Sequence, residues 1–335
     1  MFTLDKLKFI LAAEPSYRLI QAKHLIFREL ITDWAAATVF PLALRQKLQT
    51  EFPLSIKVEP FPSCDGRTIK AVFNLHDGER VEAVLMDYPG RRNTVCVSSM
   101  AGCPLRCAFC ATGQIGFRRN LEAGEIIDQV LSFARFLKQK EESVNNLVFM
   151  GMGEPFLNYD NVLEAVKILN SKDTLNIGAR HFSISTAGLP ESIRQLAKEK
   201  LAINLAVSLH APDDETRRTL MPIAKQYSLG QIFSAVDYYL KETNRKVMFE
   251  YLLIKDVNDS DAAAKKLAKL MKKKLYLINL LTYNLTGFFE PTSPERLRKF
   301  HDILKRGGVD VTLRHSFGDD IAAACGQLAG QKMLN

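Results

Sequence analysis

Three cysteines within eight residues form the densest group of potential metal ligands in this sequence. Cys103, Cys107 and Cys110 have the spacing C-x3-C-x2-C within the segment AGCPLRCAFCATGQIGF. Three thiolates at this spacing suit a cubane iron-sulfur cluster that leaves its fourth iron open to another ligand, and Phe109 would shield it. Structural zinc usually takes four ligands in two paired knuckles, and the sequence has no second Cys or His pair with that spacing. A zinc site and three buried cysteines are the alternatives.

Polar or small residues follow several β-branched segments, at the points where predicted strands end. They are Gly151, Gly153 and Glu154 in FMGMGEP, Ser185 in ISTAG, Ser208 and His210 in VSLHAP, and Asn284 in LLTYN; the apolar Leu209 lies between Ser208 and His210 and is counted with them. Glycine permits close approach of a ligand to the backbone, and a carboxylate such as Glu154 can accept hydrogen bonds from a ligand ammonium. Taken singly, each residue also fits a tight turn or a helix cap. Together they predict a binding site at one edge of a sheet.

Two further cysteines and one carboxylate carry no signal by themselves. Cys96 lies seven residues before Cys103, the first cluster cysteine, and Cys325 lies in GDDIAAACGQLAG near the end of the chain. A buried cysteine is by default a small apolar side chain that fills a core. Glu82, in the segment VEAV, is by itself an ordinary exposed strand carboxylate.

The order of several segments resembles a known family. The cluster segment resembles the radical S-adenosylmethionine (SAM) superfamily. The segments CVSSMAGCPLRCAFCATG, VFMGMGEP, VSLHAPDDETR, LMPI and FGDDIAAACGQLAG together resemble the RlmN/Cfr family of radical SAM RNA methyltransferases, from about Glu82 to Gly330. The resemblance implies a 4Fe-4S cluster whose open iron binds SAM, reductive cleavage of SAM to a 5'-deoxyadenosyl radical, and SAM contacts from the strand-end residues named above.

The same resemblance implies roles for the three isolated residues. Cys325 corresponds to the cysteine that becomes S-methylcysteine, using a first SAM, before a second SAM yields the radical. Cys96 corresponds to the thiol that resolves the protein-RNA adduct, ending in a disulfide with Cys325. Glu82 corresponds to the proton acceptor.

The resemblance also implies the substrate. RlmN-type members methylate C2 of an adenosine in 23S ribosomal RNA and in a tRNA anticodon loop, whereas Cfr-type members methylate C8 and confer antibiotic resistance. The segments MGEP and DDI favour C2, while CATGQIG and VTLRHSFG resemble Cfr at least as much. A radical SAM enzyme with a non-RNA substrate and a noncatalytic zinc-bearing RNA-binding protein are the alternatives from other classes.

The charge of the chain fits a polyanionic partner, although a modest positive charge often only solvates a surface. Lys and Arg number 45 against 37 acidic residues, a net charge of +8, and residues 265–335 hold 13 basic and 6 acidic residues. Candidate phosphate contacts flank the cluster segment at Arg91, Arg92, Arg118 and Arg119. Besides RNA, we expect an electron donor such as flavodoxin or ferredoxin.

The elements that must position these residues follow from hydrophobic periodicity. The first 60 residues look helical, with turns around Pro41, Pro53 and residues 59–63, and alternation over residues 68–86 predicts a hairpin. Thereafter six β-branched strands alternate with amphipathic helices, which predicts a parallel sheet, either doubly wound or partly closed into a barrel. We expect an α/β fold, a partial (β/α)6 TIM-like barrel of the radical SAM type.

The domains expected from this pattern are an N-terminal accessory domain at residues 1–92, a radical SAM core at 93–317 and a cysteine-bearing segment at 318–335. The composition is 47% hydrophobic and 24% charged, and no apolar stretch reaches the roughly 20 residues of a membrane span. The N-terminal segment MFTLDKLKFILAAEPS has charges inside its apolar part, unlike a secretory signal. Six cysteines are too few for a disulfide scaffold. We expect a cytoplasmic protein.

Overall fold

The computed structural model describes residues 4–54, 56–88, 90, 92–314 and 317–329. The strands are β1 (Lys57–Pro62), β2 (Thr68–Asn74), β3 (Arg80–Tyr88), β4 (Arg92–Cys96), β5 (Met100–Gly102), β6 (Phe117–Asn120), β7 (Asn146–Phe149), β8 (Phe182–Thr186), β9 (Asn204–Ser208), β10 (Val247–Leu253), β11 (Tyr276–Thr282) and β12 (Val311–Leu313). The α-helices are α1 (Leu4–Ile10), α2 (Tyr17–Phe27), α3 (Leu42–Glu51), α4 (Ala111–Ile115), α5 (Ala123–Lys138), α6 (Tyr159–Asn170), α7 (Pro190–Lys198), α8 (Asp214–Leu220), α9 (Leu229–Thr243), α10 (Asp261–Leu270) and α11 (Pro294–Arg306).

One mixed sheet organises the fold, with the strand order β1-β2-β3-β4-β7-β8-β9-β10-β11-β12. Strands β1 to β4 pair antiparallel, and the pairs from β4 through β12 are parallel. The six predicted parallel strands correspond to β4 and β7 to β11. The predicted α/β fold with a partial barrel and an N-terminal accessory region is therefore confirmed. The sequence pattern missed β12, which has only three residues.

The N-terminal hairpin forms as predicted, with Thr68 opposite Met86. The turn expected at residues 59–63 is wrong, because most of this segment forms strand β1. β1 lies at the edge of the sheet. Proline has no N–H to donate, but on an edge strand its nitrogen can face away from the neighbouring strand, so Pro60 and Pro62 are tolerated there. Hairpin and core share one sheet, since β3 pairs directly with β4 across the expected boundary at residue 92. The domain boundaries stay a prediction.

Side-chain alternation divides each parallel strand between an apolar outer face and a more polar inner face. On β8, Phe182 and Ile184 are buried in the main hydrophobic core, whereas Ser183 and Ser185 are only partly buried. The same period of two places Asn204 and Ser208 on one face of β9. The helices cover the apolar face, and the polar face is left for ligands.

Local signals fix where several helices begin after the strands. Glu122 and Glu125 form a capping box at the start of α5, and Ser228 and Gln231 form another at α9. Ser293 caps α11, whose first residue is a proline. These helix starts lie beyond the carboxyl ends of strands, where parallel α/β folds collect their binding residues. None of the helices in the described ranges is long and apolar enough to cross a membrane.

Candidate active site

One cavity at the carboxyl ends of the parallel strands brings together the three predicted cluster cysteines and Cys325. Its volume is about 990 Å³ including the open mouth. It is lined by Cys103, Cys107, Cys110, Gly151, Gly153, Glu154, Ser185, Ser208, His210, Glu250, Arg314 and Cys325, together with apolar side chains. Residues that are more than 200 positions apart in the sequence, such as Cys103 and Cys325, therefore face one space.

Backbone hydrogen bonds and apolar packing shape the cluster loop. The Cys103 amide donates to the carbonyl of Gly116 at 3.1 Å, and the Ala108 amide donates to that of Leu220 at 2.9 Å. The three cysteines pack against a small apolar cluster that includes Phe109. The Phe109 ring meets the His210 ring edge-on at 4.9 Å. The sulfur atoms thus border the cavity on one side and apolar groups on the other.

The chemistry of these sulfur atoms fits a multi-iron cluster better than a single zinc ion. Burial raises the pKa of Cys103 to about 12 and that of Cys107 well above its ordinary value, so bound cations are needed to hold them as thiolates. A single zinc requires sulfur ligands at about 2.3 Å from one point. Within the described ranges, no group of three His, Cys, Asp or Glu residues could hold one metal ion.

Glu154 links two strand ends at the wall of the cavity. Its Oε1 accepts a hydrogen bond from the Phe156 amide at 3.1 Å, and its Oε2 accepts one from the Ala187 amide at 2.7 Å. Burial raises the pKa of Glu154 to about 7, although these hydrogen bonds act to lower it. A ligand ammonium bound here would favour the ionised carboxylate. Gly153 lies beside it, and a Cβ at that position would come within 2.6 Å of Met100.

His210 presents a neutral imidazole to the same cavity. Burial, followed by the charge of Arg217, lowers the pKa of His210 to about 3. Its Nδ1 accepts a hydrogen bond from the Leu252 amide at 3.1 Å, which assigns the ring hydrogen to Nε2. The residue has a φ of 54°, and its amide donates to the Glu250 carbonyl at 3.2 Å. The site therefore offers an uncharged N–H donor at neutral pH.

Two residues predicted to contact SAM do not line the described cavity. The side chain of Leu209 is fully buried in the main core, and its amide donates to the Glu250 carbonyl at 3.0 Å. The amide group of Asn284 donates to the carbonyl of Cys325 at 3.0 Å. Leu209 thus helps to shape the strand end, and Asn284 contacts the C-terminal segment.

The predicted thiol pair shares a second, smaller cavity beside the first. Cys96, Cys325 and Arg314 line this second cavity, and Cys325 and Arg314 also line the first. Both cysteines are free thiols. Cys96 is buried, whereas the side chain of Cys325 is surrounded by protein but accessible from the cavities. Burial raises the pKa of Cys96 to about 12 and also raises that of Cys325. Cys325 therefore lies between the cluster cysteines and Cys96.

Glu82 is buried rather than exposed, and it contacts the C-terminal segment. Its carboxylate lies 3.6 Å from the Lys70 ammonium, and both side chains are almost fully buried. Glu82 Oε2 also accepts a hydrogen bond from the Ala329 amide at 3.0 Å. Lys70 in turn donates to the carbonyl of Ala322 at 3.4 Å. This ion pair therefore holds the chain on both sides of Cys325.

Comparison with known proteins assigns the family. A profile described as the Radical SAM superfamily matches residues 97–268. Two relatives are each called a probable dual-specificity RNA methyltransferase RlmN. The one from Dictyoglomus thermophilum is 41% identical, with 98% of this chain and 95% of the relative covered. The one from Thermus thermophilus is 45% identical, with 93% and 89% covered. The chain belongs to the RlmN family of radical SAM enzymes.

A solved structure agrees with this assignment to the RlmN family. A radical SAM methyltransferase from Sphaerobacter thermophilus is 44% identical and superimposes with a TM-score of 0.94, covering 98% of each chain. The predicted family membership and the predicted enzyme class, a methyltransferase, are therefore confirmed.

The candidate phosphate contacts of this RlmN family member differ in their surroundings. Arg92 and Arg118 are exposed, and the Arg92 guanidinium lies 5.1 Å from the centre of the Tyr88 ring. Arg119 instead pairs with the carboxylates of Asp77 and Glu125. Arg91 lies outside the described residues. Arg92 and Arg118 are thus the two described arginines of this set that face solvent.

Three charged residues of the site were missed by sequence reasoning. Glu250 and Arg314 line the main cavity, and the fully buried Arg217 donates to carbonyls at the ends of β8 and β9. Glu250 could have been found, because it is the one charged residue in the apolar strand VMFEYLL. Arg314 has no comparable signal, since it follows an ordinary short strand.

Proposed function

We propose that this RlmN family member methylates C2 of an adenosine in RNA, both in 23S ribosomal RNA and in a tRNA anticodon loop. The observation that carries the proposal is that Cys325 borders the cavity of Cys103, Cys107 and Cys110 and also that of Cys96. An enzyme that used only the cluster and SAM would have no need of this tail thiol. The relatives' name, dual-specificity RNA methyltransferase, supports RNA as the substrate.

The residues of the cavity fit the two cofactors that this function requires. Cys103, Cys107 and Cys110 would hold a 4Fe-4S cluster. Glu154 would bind the ammonium of SAM beside Gly153, with Ser185, Ser208 and His210 supplying further polar contacts. When bound, cluster and SAM supply a 5'-deoxyadenosyl radical. A flavodoxin or ferredoxin would supply the electron, and the RNA substrate implies a cytoplasmic reaction.

The thiols then account for carbon transfer. Cys325 would carry a methyl group as a thioether, whose carbon loses one hydrogen atom and adds to the adenine carbon, because sulfur stabilises the carbon radical. The adduct formed in this way would still be a radical, so it would lose one electron, for which the cluster held by Cys103, Cys107 and Cys110 would supply the acceptor, while Glu82 would accept the proton from the adenine carbon. The Cys96 thiol would lose its proton and attack the Cys325 sulfur, so that a disulfide forms while the carbon-sulfur bond breaks. The electron pair of that bond passes to the product carbon, which takes up a proton and becomes the methyl group.

The choice between C2 and C8 rests on the RlmN relatives and not on the geometry of the cavity. The test is mass spectrometry of nucleosides from RNA incubated with reconstituted enzyme, SAM and reductant. We expect C2-methyladenosine. C8-methyladenosine would contradict the assigned carbon, and unmodified RNA alongside SAM cleavage would indicate a radical SAM enzyme with another substrate.

A further inference from the structure

Glu250 is a buried carboxylate on the inner face of the barrel, to which the proposed reaction assigns no role. It lies opposite Ser208 on β9 and Asn279 on β11, so the three side chains project from the same face of the sheet. Only 4% of Glu250 is exposed, and the residue lines the main cavity. A carboxylate at such a position is costly unless it is paired or binds a ligand.

A polar network fixes the orientation of this carboxylate. Asn279 Nδ2 donates to Glu250 Oε1 at 2.8 Å, and Thr312 Oγ1 donates to Asn279 Oδ1 at 2.6 Å. The Glu250 carbonyl accepts the amides of Leu209 and His210, which ties the residue to the neighbouring strand end. One carboxylate oxygen thus accepts a hydrogen bond that holds the side chain in place.

The other oxygen is the unusual one. Glu250 Oε2 is buried and has no hydrogen-bond partner among the described residues, although the Arg314 guanidinium lies 3.7 Å away. Buried carboxylate oxygens normally accept hydrogen bonds, so an oriented acceptor without one indicates a missing donor. Arg314 also lines the cavity that Cys96 shares with Cys325. A ligand bound near the thiol that carries the methyl group could supply a donor at hydrogen-bond distance, which Arg314 at 3.7 Å does not.

We propose that Glu250 binds an adenosine moiety in this cavity, with Oε2 accepting a hydrogen bond from its amino or hydroxyl group. This inference rests on the proposed function, in which two adenosines meet at Cys325. One belongs to SAM and the other is the target nucleotide of the RNA. Both carry an exocyclic amino group and ribose hydroxyl groups, so both supply the donor that Oε2 lacks.

The test pairs a change in Glu250 with the removal of one donor from the ligand. Anaerobically reconstituted wild type, Glu250→Gln and Glu250→Leu are compared in binding SAM and in binding a synthetic RNA hairpin that contains the target adenosine. Analogues of both ligands lack either the adenine amino group or the 2'-hydroxyl. Equilibrium dialysis and filter binding give Kd directly, without turnover. Glu250→Gln keeps the shape of the side chain, in case Glu250→Leu fails to fold.

We expect wild type to bind one amino-free or deoxy analogue at least about tenfold more weakly than the parent ligand, because a hydrogen bond to a charged acceptor is lost. Glu250→Leu should bind parent and analogue equally. Glu125→Gln is the matched control, since Glu125 is another buried carboxylate paired with an arginine but lies outside the cavity. It should discriminate as wild type does.

The two arms identify the source of the adenosine. If the Glu250 variants no longer distinguish SAM from its analogues but still distinguish the RNA from its analogues, Glu250 binds the cofactor. If they lose only the distinction among the RNAs, Glu250 binds the substrate. Equal discrimination by wild type and both Glu250 variants in both arms would overturn the proposal. If wild type methylates no RNA, the proposed function fails, while the SAM arm still tests Glu250 separately.

Discussion

Cys325 is the residue on which the reaction depends most. Cys325 lies beside both the cluster cysteines and Cys96. We therefore predict that a change in Cys325 separates SAM cleavage at the cluster from methyl transfer to RNA. We expect Cys325→Ala to cleave SAM to 5'-deoxyadenosine and to transfer no methyl group. Chromatography of small molecules and RNA nucleosides from one reaction measures both. Retained methyl transfer in this variant would refute the role of the tail thiol.

Cys96 acts later in the proposed sequence. Because its thiol would break the bond between Cys325 and the RNA carbon, Cys96→Ala should accumulate a covalent protein-RNA adduct. Denaturing gel electrophoresis with labelled RNA detects such an adduct. The double variant Cys96→Ala/Cys325→Ala is the control and should show none, whereas an adduct in that variant would place the linkage elsewhere.

His210 should make the stability of the protein depend on pH. Its pKa is about 3 in the folded protein, against about 6.5 in the unfolded chain, so the unfolded chain binds the proton first as pH falls. This contribution is complete above pH 6.5 and is lost below it. Between pH 7.5 and 5.5 we expect wild type to lose about 1.4 kcal/mol of unfolding free energy relative to His210→Gln. Guanidinium unfolding at the two pH values measures this difference, and an equal loss in both proteins would show that His210 titrates normally.

At the residue scale, spacing alone was informative only where ligands are close in sequence. The cluster cysteines fall within one loop, so their residue type and their spacing in the sequence were enough to identify them as ligands. Cys96 and Cys325 come from opposite ends of the core, and only resemblance to a family linked them before the fold was known. Arg217 and Arg314 act through carbonyls and carboxylates of other elements, which no local pattern encodes.

Among the elements, the cluster loop depends on a close backbone contact. A Cβ at Gly102 would lie 1.8 Å from the Gly116 carbonyl oxygen, and this glycine also has a positive φ of 74°. Gly78 has a similar φ of 87° with nothing near its Cβ position, so Gly78→Ala is a control for backbone strain alone. We expect Gly102→Ala to retain little iron after reconstitution and Gly78→Ala to retain the wild-type amount, measured as iron per chain. Equal iron contents would show that the loop tolerates displacement.

The C-terminal segment depends on the buried ion pair of Lys70 and Glu82. Removing one partner leaves an uncompensated buried charge, so Lys70→Met should destabilise the protein by about 3–5 kcal/mol. Replacing both partners, in Lys70→Met/Glu82→Leu, should recover much of this loss. Denaturant unfolding of the three proteins checks the expectation. Similar stability of Lys70→Met and wild type would show that the pair does not anchor the segment.

Elements with a strong period were predictable, and short or edge elements were not. The six parallel strands and helices such as α5 and α7 follow from hydrophobic alternation and end signals. Strand β1 was missed because its prolines indicate turns, yet an edge strand tolerates them. Strands β5 and β6, which pair antiparallel in a small second sheet, were missed because three or four residues carry no period.

For the whole molecule, one sheet joins the N-terminal hairpin, the barrel and the binding face. This continuity explains how Glu82 on β3 reaches the C-terminal segment, which no analysis of separate domains would predict. The family was evident from the order of the motifs along the sequence. The closure of the C-terminal segment over the cavity depends on hydrogen bonds such as that from the Ala111 amide to the Gly326 carbonyl, at 2.8 Å, and these appear only in the folded chain.

The most direct test of the account uses SAM whose methyl group carries three deuterium atoms. If Cys325 carries the methyl and loses one hydrogen atom from it, the methyladenosine formed in RNA should contain two of the three deuterium atoms, and 5'-deoxyadenosine should gain one. Mass spectrometry of both products measures this. A product methyl with all three deuterium atoms would show direct transfer from SAM to RNA and would contradict the role of Cys325.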